Sequence, residues 1–272
     1  MVNVRLTGAA GLELTHNDQV ILVDPYLSRL GLIEVLFKPL KPKVDEVHRY
    51  IQGLTGKLLA IIVGHTHFDH ALDIPVFAKH FDCRLIGNRS LEALMAMNSM
   101  SGRVTVCKGH ERVQLSGEAA VTMIPSIHSQ VLFGRVPHPG EINPTRRPPL
   151  RSSEYKHGTV FMAKLELDGK IFMHTGSTNF VESEVEGHSC DVLFMAVPGW
   201  KNVPEYTTRF LQIVKPNVIV PFHYDNFFGP VPPNMKVSTL PLTDVRGFLK
   251  RISKSAPNAE IREARIFESI SF

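Results

Sequence analysis

A continuous apolar run, LLAIIV at residues 58–63, constrains the fold of this chain more than any other stretch. Apolar residues without polar alternation are typical of a strand that is buried on both faces. Such a strand needs a layer of structure on each side, and predicted helices and strands interleave along the rest of the chain. The predicted class is therefore α/β or α+β. Directly behind this strand come Gly64 and then HTHFDH, a cluster of polar side chains.

The predicted elements follow one another without a linker, a low-complexity tract or a long repeat, so residues 1–272 are expected to form a single domain. The first 25 residues predict a three-stranded meander with a hairpin turn at Asn17 and Asp18. Further helices are predicted near 42–54, 71–81, 90–98, 204–214 and 242–252. Further strands are predicted near 84–87, 103–106, 112–115, 120–125, 159–167, 170–176, 190–198 and 217–223. An irregular segment rich in Pro and Arg, at about 133–157, interrupts this pattern.

The composition excludes several classes of protein. No stretch approaches the roughly 20 apolar residues of a membrane span, and the N-terminal residues lack a signal-peptide pattern. The cysteines, Cys83, Cys107 and Cys190, are odd in number and scattered, so we expect a reduced, cytoplasmic protein without disulfides. The net charge of +4 is mild, and without clustered basic and aromatic residues a nucleic-acid partner is not favoured.

The histidine cluster predicts a metal site. In an extended stretch, residues two apart point to the same side, so His65 and His67 can face one point. Asp69 and His70, at the turn into the next helix, can face a neighbouring point. Neutral imidazole and carboxylate are good zinc ligands. A lone histidine is more often structural, but three within six residues beside an aspartate favour metal binding.

Further ligands are expected at the ends of other strands. His128 follows the strand near 120–125, and His223 ends the strand near 217–223. Functional residues often collect where strands end, because a rigid scaffold holds the loops there. His138, His157 and His174 are further candidates for supporting or substrate-contacting groups.

The order of these motifs resembles the metallo-β-lactamase-fold hydrolase superfamily. The resemblance rests on ILVDPYLS, HTHFDH, the lone His128, the turn HTGST and the strand ending in PFHYD, and it extends from about residue 2 to 225. Within the superfamily, the short first hairpin and DPYLS look most like the L-ascorbate-6-phosphate lactonase and N-acylphosphatidylethanolamine phospholipase D-like groups.

The resemblance implies a four-layer αβ/βα sandwich of two mixed sheets with helices outside, and two adjacent metal sites. By position, the first site would comprise His65, His67 and His128. The second would comprise Asp69, His70 and His223. Asp24 would support the cluster by hydrogen bonding, although an Asx turn before Pro25 predicts the same local shape.

The chain departs from the family at Ser177, where the family has an aspartate that bridges the two metals. Two divalent ions about 3.5 Å apart repel each other, and a neutral hydroxyl offsets this repulsion poorly. We therefore expect one firmly bound zinc ion and a weaker second ion. The second set of two histidines and a carboxylate also suits iron or manganese. Two other consequences are open: a phosphate or carboxylate of the substrate could complete the bridge, or catalysis could be lost, although all the remaining ligand positions are retained.

The expected activity is hydrolysis, by metal-activated water, of an ester, lactone or phosphodiester of a small anionic molecule. Asp69 could orient the water or accept its proton, and Tyr224 could donate a hydrogen bond to an oxyanion, although core packing is the more common role for such a tyrosine. We expect the irregular segment at about 133–157 to border the active site, where Arg146 or Arg147 could bind the anion; a solvated basic surface loop is the alternative. A nuclease of the same fold and a metal-binding protein without turnover are the alternatives.

Overall fold

The computed structural model of the protein describes residues 1–131, 134–232 and 236–272. Within these ranges, two seven-stranded sheets lie face to face, with helices on the outer face of each. The strands of both sheets, in chain order, are β1 (Asn3–Gly8), β2 (Gly11–His16), β3 (Gln19–Val23), β4 (Lys57–Ile62), β5 (Arg84–Gly87), β6 (Val104–Val106), β7 (Arg112–Gln114), β8 (Ala119–Ser126), β9 (Val160–Leu167), β10 (Lys170–His174), β11 (Val192–Ala196), β12 (Val218–Phe222), β13 (Glu260–Ile261) and β14 (Ser269–Ser271).

The first sheet has the order β14-β1-β2-β3-β4-β5-β6. β14, β1, β2 and β3 pair antiparallel, and β3 to β6 pair parallel. The apolar run at 58–63 provides most of β4, at the centre of this sheet. Its side chains alternate between the two faces, so Ala60 and Ile62 pack toward the second sheet while Ile61 packs under the outer helices. This two-sided burial explains why the run carries no polar alternation.

The second sheet has the order β13-β12-β11-β10-β9-β8-β7. β7 to β10 pair antiparallel, whereas β10 to β13 pair parallel. Because β8 and β10 are both antiparallel to β9, they run in the same direction as β12. The ends of β8, β10 and β12 therefore meet at one edge of the sheet.

The helices cover the outer faces of the two sheets. The second, fourth and fifth helices along the chain pack their apolar faces on the first sheet. The last three helices pack on the second sheet. In chain order the helices are α1 (Leu32–Phe37), α2 (Val44–Gln52), α3 (Phe68–Ala71), α4 (Ile74–His80), α5 (Arg89–Met97), α6 (Glu182–Val185), α7 (Tyr206–Val214) and α8 (Val245–Ser255). In the part of the chain that the structure describes, no helix is long and apolar enough to cross a bilayer.

The predicted sandwich class is confirmed, and the strands and longer helices lie where periodicity places them. Asn17, in the predicted hairpin turn, has a φ of 51°, the left-handed conformation that Asn tolerates. The sequence reading missed α1, whose LIEVLF sequence has no polar face to produce a helical period. The segment predicted at about 133–157 is irregular apart from a 3₁₀ turn at Ser152–Glu154, and its residue 133 lies outside the described residues.

Candidate metal centre

Five strand ends bring the candidate residues to one edge of the sandwich. Asp24 follows β3, His65 and His67 follow β4, and the register pairs Val23 with Ile62, so these two parallel strands end side by side. In the second sheet, His128, Ser177 and His223 follow within three residues of the ends of β8, β10 and β12, respectively. The sheets are joined here where the Phe161 amide donates to the Gly64 carbonyl at 2.8 Å.

The first candidate ligand set is formed by His65, His67 and His128. Their ligand nitrogens lie within 4.8 Å of one another. His65 Nε2 and His67 Nδ1 are 3.1 Å apart. Two nitrogens that share a tetrahedral zinc ion at about 2.0 Å are separated by about 3.3 Å. The spacing therefore fits a shared ion and would leave a fourth coordination position for another ligand.

Backbone carbonyls determine which nitrogen of two of these histidines is available. His67 Nε2 lies 2.9 Å from the Pro137 carbonyl, and His128 Nδ1 lies 2.8 Å from the Ser129 carbonyl. A carbonyl oxygen only accepts, so each of these nitrogens carries the proton and donates it. The lone pairs are then on His67 Nδ1 and His128 Nε2. Such outer hydrogen bonds orient the rings of metal-binding histidines.

The second candidate ligand set is formed by Asp69, His70 and His223, whose ligand atoms also lie within 4.8 Å of one another. Asp69 Oδ2 is 3.8 Å from His70 Nε2 and 3.6 Å from His223 Nε2. The two sets adjoin, because the rings of His65 and His70 have centroids only 3.8 Å apart. The arrangement can hold two neighbouring ions.

Asp24 lies directly behind the second set. Its Oδ2 is 2.9 Å from His70 Nδ1, and its Oδ1 accepts a hydrogen bond of 2.8 Å from the Gly64 amide. These contacts turn His70 Nε2 toward Asp69. A side chain at Gly64 would place its Cβ 3.0 Å from the Phe161 carbonyl oxygen and 3.3 Å from Asp24 Oδ2. Glycine therefore permits the close approach of β9 and Asp24 at this point.

The electrostatics of four of the five clustered histidines favour the unprotonated imidazole that a metal requires. Burial, reinforced by the neighbouring imidazoles, holds the pKa values of His65, His67 and His223 well below 6.5. Burial also lowers the pKa of His128 to about 4. Burial alone would lower the pKa of His70 too, but the carboxylates of Asp24 and Asp69 outweigh it and raise that pKa. Burying five polar imidazoles side by side costs free energy unless their nitrogens find partners, and a cation would provide one.

The residues present therefore fit a pair of divalent ions. The donor sets are three imidazoles in one group, and two imidazoles and a carboxylate in the other.

Ser177 lies at the edge of the cluster, in a tight turn. Gly176 has a φ of 65°, and the Ser177 amide donates to the Thr175 carbonyl at 2.6 Å. Ser177 Oγ accepts a hydrogen bond of 3.1 Å from the amide of Ser129, the neighbour of His128. The hydroxyl thus connects the loops after β8 and β10, and Asp69 remains the one carboxylate in the two ligand sets.

A cavity of about 570 Å³ opens above the ligands. The irregular segment contributes to its rim, as predicted, but through other residues than those predicted. Arg151 lies on this rim, and its Nη1 donates to the Phe37 carbonyl at the end of α1. The cavity lining includes both ligand sets except His65, together with the apolar residues Leu32, Val35, Leu36, Phe68, Phe227, Phe228 and Leu240.

Three predicted site residues are not brought to this cavity. Arg146 forms an ion pair of 2.9 Å with Glu154 and is mostly exposed, and Arg147 is exposed outside the cavity lining. Tyr224 packs against the core beneath α7 and α8 and lines a separate cavity of about 250 Å³. The chain turns at His223, which has a φ of 65°, and this turn sends the two neighbouring side chains in different directions.

The three other candidate histidines have different positions. The ring of His157 lies 5.7 Å from that of His67, and the ring of His138 lies 6.3 Å from it, so both adjoin the first ligand set. His174 is buried and does not line the cavity, and its Nε2 contacts the Ala10 carbonyl at 2.8 Å, a contact between the two sheets.

Sequence reasoning missed Asp73, a fully buried carboxyl at the start of α4. It accepts hydrogen bonds from the amides of Leu27 and Ser28 at 2.6 and 2.8 Å and from the Ser28 hydroxyl. These bonds join the loop after β3 to the helix that follows the histidine cluster. The capping position before Ile74-Pro75 was the available signal.

Comparison with known proteins agrees with this geometry. The model of the metallo-beta-lactamase superfamily matches residues 12–149, which include five of the six candidate ligands. A UPF0173 metal-dependent hydrolase of Anaeromyxobacter dehalogenans is 29% identical over 232 residues, covering 80% of this chain and 73% of the relative. A UPF0173 metal-dependent hydrolase of Staphylococcus aureus is 25% identical over 230 residues, covering 81% of this chain and 84% of the relative.

Among solved structures, Igni18, a metallo hydrolase of Ignicoccus hospitalis, has a TM-score of 0.64 at 16% identity. The match covers 100% of this chain and 98% of the Igni18 chain. CmlA, a diiron beta-hydroxylase of Streptomyces venezuelae, has a TM-score of 0.60 at 14% identity. This match covers 100% of this chain and 54% of the CmlA chain. At these identities the likeness concerns the fold alone. Since the superfamily model spans just over half of the 272 residues, the chain belongs to the metallo-beta-lactamase superfamily.

Proposed function

We propose that this protein is a metal-dependent hydrolase of an ester, lactone or phosphodiester in a small molecule that carries negative charge. The observation that carries the proposal is the pair of adjoining ligand sets at the floor of one cavity. When bound, divalent ions at such a site act as Lewis acids and make a hydrolytic nucleophile available near neutral pH. The relatives named metal-dependent hydrolases support the same class of reaction.

The chain's own residues contribute position and polarity. Pro137 and Ser129 hold the rings of His67 and His128 through their carbonyls, and Asp24 holds His70. Asp69 presents a carboxylate oxygen between His70 and His223 on the cavity floor, where it can orient a water molecule or accept its proton. We propose zinc for the first set and a weaker second ion, with manganese or iron as alternatives there.

The residues that line the cavity favour a small molecule over nucleic acid. Its walls are mainly apolar, and among the described residues Arg151 is the one Lys or Arg in its lining. A nuclease site needs basic groups that follow several phosphates. The finer resemblance to the ascorbate-6-phosphate lactonase and N-acylphosphatidylethanolamine phospholipase D-like groups remains a prediction.

The function is tested with protein purified without chelators. Metal content is measured first, and neutral and anionic esters, lactones and phosphodiesters are then screened before and after metal removal. We expect turnover of at least one class, loss of turnover on chelation and recovery with zinc. Bound metal without turnover of any class would instead support the binding protein that the Ser177 departure permits.

A second prediction assigns the anion contact to Arg151. An arginine that hydrogen-bonds a charged group contributes about 1.5–3 kcal/mol, so Arg151→Ala should raise KM for an anionic substrate by about tenfold or more. It should leave KM for a neutral analogue nearly unchanged. Arg147→Ala, an exposed arginine of the same segment outside the cavity, is the matched control. Equal KM changes in the two variants would contradict the assignment.

A further inference from the structure

The cavity above the ligands is lined by two apolar walls from separate parts of the chain. One wall is α1, which contributes Leu32, Val35 and Leu36. The other is formed by Phe227, Phe228 and Leu240, which follow His223 along the chain. These walls are continuous with the metal ligands, because Phe68 lies between His67 and Asp69 and lines the same cavity.

The second wall is supported from behind at Phe227. Tyr26 is fully buried, and its ring meets those of Phe68 and Phe227 edge to face at centroid distances of 5.8 and 6.3 Å. The Tyr26 hydroxyl accepts a hydrogen bond of 2.8 Å from the Leu30 amide, just before α1. The same aromatic residue therefore supports the floor, one wall and the start of the other, so the apolar surface is preformed.

Helix α1 is also tied to the rim on its other side. The Ser152 hydroxyl donates to the Val35 carbonyl at 2.8 Å, and the Leu40 amide beyond the helix donates to the Leu150 carbonyl at 2.6 Å. Leu36 nevertheless remains 59% exposed toward the cavity. A contiguous apolar surface left open beside polar ligands is typical of a binding site rather than of ordinary protein surface.

We infer that the substrate is amphipathic: its reacting end faces the two ligand sets, and an alkyl chain or aromatic ring lies between α1 and the Phe227–Phe228–Leu240 wall. The inference depends on the proposed function only for the identity of the reacting end. The apolar group is recognised by the walls whatever bond is broken. The length and shape of this apolar group, more than the charge of the substrate, should then distinguish good substrates from poor ones.

The test uses binding rather than turnover. Straight-chain carboxylates from butanoate to octanoate are titrated calorimetrically into the zinc-loaded protein. The carboxylate end is the same throughout, so the trend in Kd reports the apolar group. Burial of one methylene contributes about 0.8 kcal/mol, so each added carbon should lower Kd about threefold to fourfold, and the whole series on the order of a hundredfold.

Two substitutions on one helix locate the contact. Leu36→Glu places a charge on the cavity wall and should make Kd nearly independent of chain length. Ile33→Glu is the matched control, because Ile33 is 71% exposed on the same helix but does not line the cavity, and it should retain the trend. Circular dichroism and zinc content of both variants should match those of the unmodified protein.

Three outcomes overturn the inference. A Kd independent of chain length in the unmodified protein would show that the walls bind no apolar group. An equal loss in both variants would mean that α1 acts as a general apolar surface, for a membrane or a second copy of the chain, and not as a cavity wall. An unchanged trend in Leu36→Glu would place the chain elsewhere. If the trend holds but no ester, lactone or phosphodiester is hydrolysed, the proposed function fails and the apolar site stands.

Discussion

His67→Ala should abolish metal binding at the first ligand set and lower hydrolysis by about a thousandfold or more. The substitution leaves two imidazoles, His65 and His128, where three are needed to hold a hydrolytic zinc with one open position. It also removes the ring that the Pro137 carbonyl orients at 2.9 Å. Zinc per chain, measured by elemental analysis, and kcat/KM for the best substrate of the screen should fall together.

His80→Ala is the matched control for this prediction. His80 lies at the end of α4, is exposed and belongs to neither candidate ligand set. Its replacement should change neither metal content nor activity. His128→Ala should reproduce the loss seen in His67→Ala although it lies 61 residues farther along the chain. Full zinc content in either ligand variant would contradict the assigned first set.

Ser177→Asp should tighten the second ion at least tenfold. In the unmodified protein, two divalent ions would bring a charge of +4 against one carboxylate, that of Asp69. Even at an effective dielectric constant of about 20, a carboxylate about 4 Å from a divalent ion contributes several kcal/mol before its desolvation cost. In the unmodified protein, which lacks this carboxylate, the second ion at Asp69, His70 and His223 should leave first during dialysis against a chelator of graded strength.

Ser177→Asn separates charge from shape in this experiment. The amide has the size of the carboxylate and can also accept the Ser129 amide hydrogen bond that Ser177 Oγ accepts at 3.1 Å. It should leave the second ion weakly bound, because it adds no charge. Equal release of two ions from the unmodified protein, or equal tightening by Asp and Asn, would show that another anion already balances the charge.

The candidate ligands could be predicted from the sequence because they depend on short-range order. His65, His67, Asp69 and His70 follow one buried strand, and strand geometry alone directs the first two to one side. His128 and His223 were found because each ends a recognisable strand. The position of Asp24 behind His70 likewise follows from β3 and β4 being parallel neighbours that end together. In each case a local pattern places the residue at the end of a strand, and the sheet brings the strand ends side by side.

The walls of the cavity could not be predicted in this way, because they depend on long-range packing. Helix α1 has no polar face, so its LIEVLF sequence shows no helical period, and its role appears only once Leu36 and Phe228 line the same cavity. Sequence composition pointed to Arg146 and Arg147, but an ion pair with Glu154 draws Arg146 outward, and Arg151 lies on the rim. Tyr224 was separated from its neighbour by the left-handed backbone at His223. By itself, then, the sequence determined the candidate metal ligands and the sandwich that aligns them, whereas only the tertiary structure decided what lies above them, because contacts between distant segments leave no periodic signal in the chain.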